Sequence, residues 1–171
     1  MAKAVFCIAK SEEQAVHIVN QLKEAGFSNN DVSVLLPDRA GSRDFAHEQH
    51  TKAPEGAATG AVAGGVAAGV LGWLVGIGSL AIPGVGPLIA AGPIVAALSG
   101  AAAGGAVGGM VGALVGLGVP EYEAKQYEGK IKDGNILISV HTEDSKERSV
   151  AKEIFDRAHA SDISYTGEAR V

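Results

Sequence analysis

Residues 56–120 contain no Asp, Glu, Lys, Arg or His. That run takes up 65 of the 171 residues and holds 19 of the 24 glycines. Uncharged apolar chain of this length has to be covered, by lipid or by protein. A globular core normally fills its volume with large side chains. Aromatics are only 5% of this chain, so close backbone approach has to replace bulk.

All the charge lies in two flanking arms. Residues 1–55 hold 6 basic and 8 acidic groups, and residues 121–171 hold 8 and 11, for a net charge of −5. Neither arm has a basic stripe, which excludes ordinary nucleic-acid binding and a polybasic lipid anchor. The single cysteine, Cys7, excludes an intrachain disulfide and a multi-cysteine metal site. Residues 1–10 are too short, and too interrupted by Lys3 and Lys10, for a signal peptide, so both arms are expected in the cytoplasm.

The arms share one grammar. Residues 4–9 (AVFCIA) predict a strand. Ser11 is a candidate N-cap, followed by Glu12 and Glu13, and Ala15, Ile18, Val19 and Leu22 recur at helical spacing. Gly26 stops that helix, and residues 32–36 (VSVLL) predict a second strand. In the other arm, residues 135–140 (NILISV) predict a strand. Asp144 or Ser145 caps a helix bearing Val150, Ala151, Ile154, Phe155 and Ala158, and residues 163–166 close as a strand. One β-α-β unit is too small to cover itself, so the arms are expected to combine.

The predicted fold class is therefore α+β: a ferredoxin-like βαββαβ sandwich split by an inserted apolar glycine-zipper α-helical hairpin. The predicted divisions are 1–36 (first half), 37–55 (polar linker), 56–119 (hairpin) and 120–171 (a coupling helix and the second half). His47 and His50 stand at helical spacing in the linker, but no third metal ligand accompanies them.

Helical residues four apart lie on one slowly winding stripe. Gly56, Gly60, Gly64, Ala68, Gly72 and Gly76 form such a stripe in a first helix expected over residues 57–80. Gly100, Gly104, Gly108, Gly112 and Gly116 form another in a second helix over residues 94–117, beside Ala101, Gly105, Gly109 and Ala113. Small-xxx-small stripes let helices approach closely. The candidate helix-packing and oligomerisation residues are therefore Gly60, Gly64, Gly72, Gly76, Gly100, Gly104, Gly105, Gly108, Gly109, Gly112 and Gly116. Each helix is long enough, at about 36 Å, to cross a hydrocarbon core of about 30 Å. The expected hairpin tip carries Pro83, Gly84, Gly86, Pro87 and Pro93, has no charge, and is expected to stay buried.

Residues 80–87 (LAIPGVGP) and 90–93 (AAGP), with residues 116–127 (GLGVPEYEAKQY) leading into 134–140 (GNILISV), resemble bacterial general stress proteins. That family is described as heat-induced or low-temperature-induced and is related to the 17M-like stress domain. The resemblance covers nearly the whole chain. It implies a membrane-associated stress-response protein without an assigned enzyme activity, and it supplies no catalytic residues. From the residues themselves, Pro120 suits the start of a coupling helix, with Tyr122, Ala124 and Tyr127 available to dock on the sandwich or at a membrane surface.

No nucleophile pair, metal quartet or phosphate loop is present, so no enzyme, cofactor or metal is expected. The leading expectation is a self-associating stress protein whose hairpins lie in the cytoplasmic membrane with both arms in the cytoplasm. Its partners would be other copies and the bilayer. A water-soluble cytoplasmic shell or ring burying its hairpins is the alternative. A third reading is an adaptor that recruits a membrane complex.

Overall fold

The computed structural model describes residues 3–37, 78–82, 86–92, 94 and 109–166. In chain order these form β1 (Lys3–Ala9), α1 (Glu12–Glu24), β2 (Val32–Pro37), β3 (Gly78–Ile82) and β4 (Gly86–Ala91). They continue as α2 (Gly109–Gly116), α3 (Glu121–Lys132), β5 (Ile136–Thr142), α4 (Ser145–Arg157) and β6 (Ser161–Tyr165). The fold is mixed α+β, built on an antiparallel sheet of order β3-β4-β2-β5-β1-β6.

Local chemistry explains the helix ends. The Ser11 hydroxyl accepts from the Gln14 N–H at 3.1 Å, and the Asp144 carboxylate accepts from the Glu147 N–H at 2.8 Å. Both satisfy amides that the first turn leaves without partners. The Glu147 carboxylate reaches back to the Glu143 N–H at 2.7 Å, a reciprocal cap. At the other end, α1, α2 and α3 each stop where Gly26, Gly118 or Gly134 turns to positive φ. The next amide then bonds five residues back, as Val119 does to the Leu114 carbonyl at 3.0 Å. α4 stops in the same way on His159, at φ 59.

Strand alternation gives the sheet two apolar faces. Val5, Cys7, Val32, Val34, Ile136, Ile138 and Val140 face α1 and α4, where Ile18, Leu22, Ile154 and Phe155 complete one core. Phe6, Ile8, Leu35, Leu88, Ala90 and Leu137 face α2 and α3, where Met110, Leu114, Ala124, Tyr127 and Ile131 complete a second. The two-layer sandwich expected from the arms thus has a third layer, drawn from the end of the uncharged run and the coupling helix.

The middle of that run departs from the expected helical hairpin. Residues 78–80, placed at the end of a first helix by sequence, are strand, and the expected tip carries strand β4. β4 pairs with β2 in the register Val34↔Ala91, Leu35↔Ala90, Leu36↔Ile89. The physical reason is the open edge of β2, whose amides and carbonyls gain partners that a remote tip would not supply. Prolines also block regular helix here, while short apolar runs on either side suit paired strands. The remainder of the expected hairpin, residues 56–77, 83–85, 93 and 95–108, lies outside the described residues.

Candidate functional site

The predicted coupling helix is α3, and its spacing decides which side chains dock. Ala124, Tyr127 and Ile131 recur on one face and are buried, whereas Tyr122 lies off that face and is 74% exposed. Pro120 is the N-cap, with no side-chain cap bond. Glu121 and Glu123 occupy the first turn and Lys130 and Lys132 the last, which complements the helix dipole at both ends.

Tyr127 joins α3 to the edge strand β6. Its ring stacks on Phe6 with centroids 6.1 Å apart. Its hydroxyl donates to the Asp162 carbonyl oxygen at 2.6 Å and is hydrogen-bonded to the Ser164 hydroxyl. Between Phe6 and Ile8, β6 carries one residue more than β1, and Asp162 in that bulge has φ 52. The bulge explains why a strand carbonyl is free to accept from a tyrosine. Lys130 lies 3.9 Å from the Asp162 carboxylate across the same junction. Burial pushes the Tyr127 phenol well above its usual value, outweighing the Ser164 hydrogen bond, which acts the other way. A phenol held protonated in this way is a structural donor, not a general base. Glu123, one turn earlier, has a buried carboxylate oxygen without a hydrogen-bond partner.

A second junction fixes the β3–β4 hairpin. Gly92 has φ +93, and a Cβ there would collide with the Val32 carbonyl oxygen and the Ser33 backbone. The buried Ile94 N–H then donates to the Ser33 hydroxyl at 3.2 Å. Only glycine meets both demands at position 92. Sequence reasoning missed Gly92 and Ser33, as it missed Asp162 and Ser164. The available signal was a serine alternating with large apolar residues in β2.

Of the predicted packing glycines, Gly109, Gly112 and Gly116 are described, all on α2. Met110 and Leu114 form its buried face, while Gly112 and Gly116 are exposed. A Cβ at Gly116 would meet nothing within 4 Å. Gly60, Gly64, Gly72, Gly76, Gly100, Gly104, Gly105 and Gly108 lie outside the described residues. So do Pro83, Gly84, Pro93, His47 and His50, whereas Gly86 and Pro87 open β4. Beside Gly116, Val115 and Leu117 are 42% and 41% exposed.

Among the described residues, no group of three or more His, Cys, Asp or Glu is placed to hold a metal ion. Cys7 is buried in β1, and burial pushes its thiol well above the usual value, so the reactive thiolate is disfavoured. No described helix is long and apolar enough to cross a membrane. The chain matches no protein-family model, no curated protein and no solved structure.

Proposed function

We propose that the protein is a non-enzymatic, self-associating stress-response protein. The charged arms act as a carrier domain, and the uncharged segments 56–77 and 95–108 bury one another between copies through their glycine stripes. We read β2-β5-β1-β6 with α1 and α4 as a ferredoxin-like βαββαβ unit, extended by the β3–β4 hairpin. The strand order and the antiparallel pairing support that reading. The stress setting comes from the family resemblance of the 80–93 and 116–140 segments.

The observation that carries the proposal is the return of the chain to the sheet at β3 and β4. It ties the uncharged run to the domain at β3 and β4 as well as at α2. Residues 95–108 number 14, lying between the buried Ile94 and α2. As helix they reach about 21 Å, short of a hydrocarbon core of about 30 Å, and they must also come back. Residues 56–77 number 22 and meet the same demand, since β3 follows directly. A path out and back leaves them about 16 Å in each direction. Burial between protein copies meets these limits more readily than a hairpin that crosses a membrane.

The second reading keeps the bilayer. It is supported by the uncharged length of the run, and the tether restricts it to shallow insertion from one side. Detergent-free lysis separates the two. The first expects a large particle in the soluble fraction, reduced in mass by Gly104→Leu with Gly108→Leu. Recovery only in membranes favours the second, and a full-size particle from the double variant sinks glycine-mediated assembly.

A further inference from the structure

We propose that β6 is an exchangeable strand, which leaves β1 and is replaced there by β6 of a second copy of this chain. β6 ends the sheet and pairs with β1. Its hold differs in kind from that of its neighbour. β1 is fixed by Val5, Phe6, Cys7 and Ile8, all of them buried. Within β6 only Ser164 is buried, and Ile163 and Tyr165 add partly buried apolar contact. Hydrogen bonds do the fastening. The Asp162 carbonyl and the Ser164 hydroxyl meet the Tyr127 hydroxyl. Just beyond the strand, the Thr166 hydroxyl accepts from the Ala4 N–H at 2.7 Å, and the Thr166 N–H donates to the Ala4 carbonyl at 2.9 Å. Water replaces bonds of this kind at small net cost, whereas it cannot replace buried apolar contact. The Ser161 hydroxyl is buried without a partner, so it gains a hydrogen bond to water on release.

The backbone is strained where β6 begins. His159 and Asp162, at φ 59 and 52, are the two non-glycine residues with positive φ among the described residues. His159 lies in the short turn between α4 and β6, and Asp162 lies in the bulge opposite Cys7. Short connections under strain invite exchange between copies. The hinge relaxes when the chain straightens and the strand completes a neighbouring sheet.

The contacts already present name the occupant. The open edge of β1 fits a strand with an extra residue opposite Cys7, a carbonyl and a hydroxyl for Tyr127, and a threonine for the Ala4 N–H. β6 of a second copy brings every one of these in the same register, and an unrelated strand does not. Exchange therefore keeps the contacts of β6 and adds relief at His159. It uses no glycine stripe, so it goes beyond the self-association reading above and does not depend on it.

Two full-length single-cysteine proteins, Val5→Cys and Tyr165→Cys, each also carrying Cys7→Ala, are mixed under mild oxidation. Val5 and Tyr165 are register partners, so their disulfide joins two chains when β6 of one lies on β1 of the other. In the control, Val140→Cys replaces Val5→Cys, because Val140 is as fully buried but meets β1 from β5. Heterodimer is expected to form about tenfold faster than in the control, or more. Tyr127→Phe in both chains is expected to speed it by about another tenfold, since a fastening bond is gone. Leu88→Ala, on β4 towards the other end of the sheet, is expected to leave the rate unchanged. No preference over the control overturns the proposal. Equal acceleration by Leu88→Ala also overturns it, because exchange then follows unfolding of the whole domain. If Val5→Cys fails to fold, Ile8→Cys mixed with Ser161→Cys, another register pair, decides by the same readings. A large particle without cross-linking overturns exchange and leaves glycine-mediated assembly standing, whereas cross-linking without a large particle supports exchange alone.

Discussion

The Tyr127 hydroxyl donates to the main-chain oxygen of Asp162, the residue at which β6 leaves extended geometry. One side chain on the coupling helix thereby satisfies a carbonyl that the strand bulge has released. Tyr127→Phe keeps the stacking on Phe6 and removes only this bond and its Ser164 partner. The expected loss is about 1–2 kcal/mol in chemical denaturation, since a buried acceptor is left unpaired. Tyr127→Ala also opens a cavity and is expected to lose about 3–5 kcal/mol.

Alkaline pH supplies a test of the same burial. Tyr127 and Cys7 both have folded-state pKa values raised above the ordinary 10.0 and 9.0. The folded state therefore holds these protons more tightly than the unfolded state does. Their contribution to stability is complete below about pH 9 and declines as pH rises above the unfolded values. Unfolding free energy measured from pH 8 to 11 is expected to fall. Cys7→Ala should remove the part that begins near pH 9, and Tyr127→Phe the part that begins near pH 10. An identical slope in both variants would contradict this.

Gly92→Ala tests whether the uncharged run is built into the domain. The change forces a Cβ towards the Val32 carbonyl and places alanine at φ +93. A destabilisation above about 2 kcal/mol is expected in the cooperative unfolding of the arms. Leu88→Ala, at a side chain in the second core, is expected to cost about 2–5 kcal/mol in the same transition. No effect of either change on the arms would detach β4 from the sheet.

His159 is the exception among the helix ends. It adopts φ 59 where α1, α2 and α3 use glycine. His159→Gly removes a Cβ from left-handed geometry and is expected to raise stability by about 1 kcal/mol, read as an increase in denaturant midpoint. A fall in the midpoint would mean that the imidazole makes a favourable contact outweighing its backbone cost.

The arms were legible because their signals are local. Ser11, Gly26, the 15–18–19–22 spacing and the Asp144 cap each act within a few residues. The second side of the sheet was less legible. Ala, Gly and Leu at residues 78–91 serve a helix or a strand equally well, and what decides is the open edge of β2, more than forty residues earlier. Tyr122 and Tyr127 were predicted together as docking residues. The structure separates them, and the 124–127–131 spacing already held the distinction. The glycine stripes show the reverse limit. Their register is plain in sequence, yet of the described members Gly112 and Gly116 point away from the core that α2 helps build.

β1 pairs with β5 and β6, and Ala9 meets Ile136 across most of the chain length. A sheet wired in this way cannot close until β5 and β6 have been made. Synthesis runs at about 5–20 residues per second, so roughly a hundred residues between β2 and the end of β5 take about 5–20 s. Within that interval the uncharged run is made and starts to leave the ribosome before β5, the strand that completes its sheet. High contact order slows closure further. This protein is thus most exposed to aggregation before β5 and β6 emerge, and a slower ribosome lengthens that exposure.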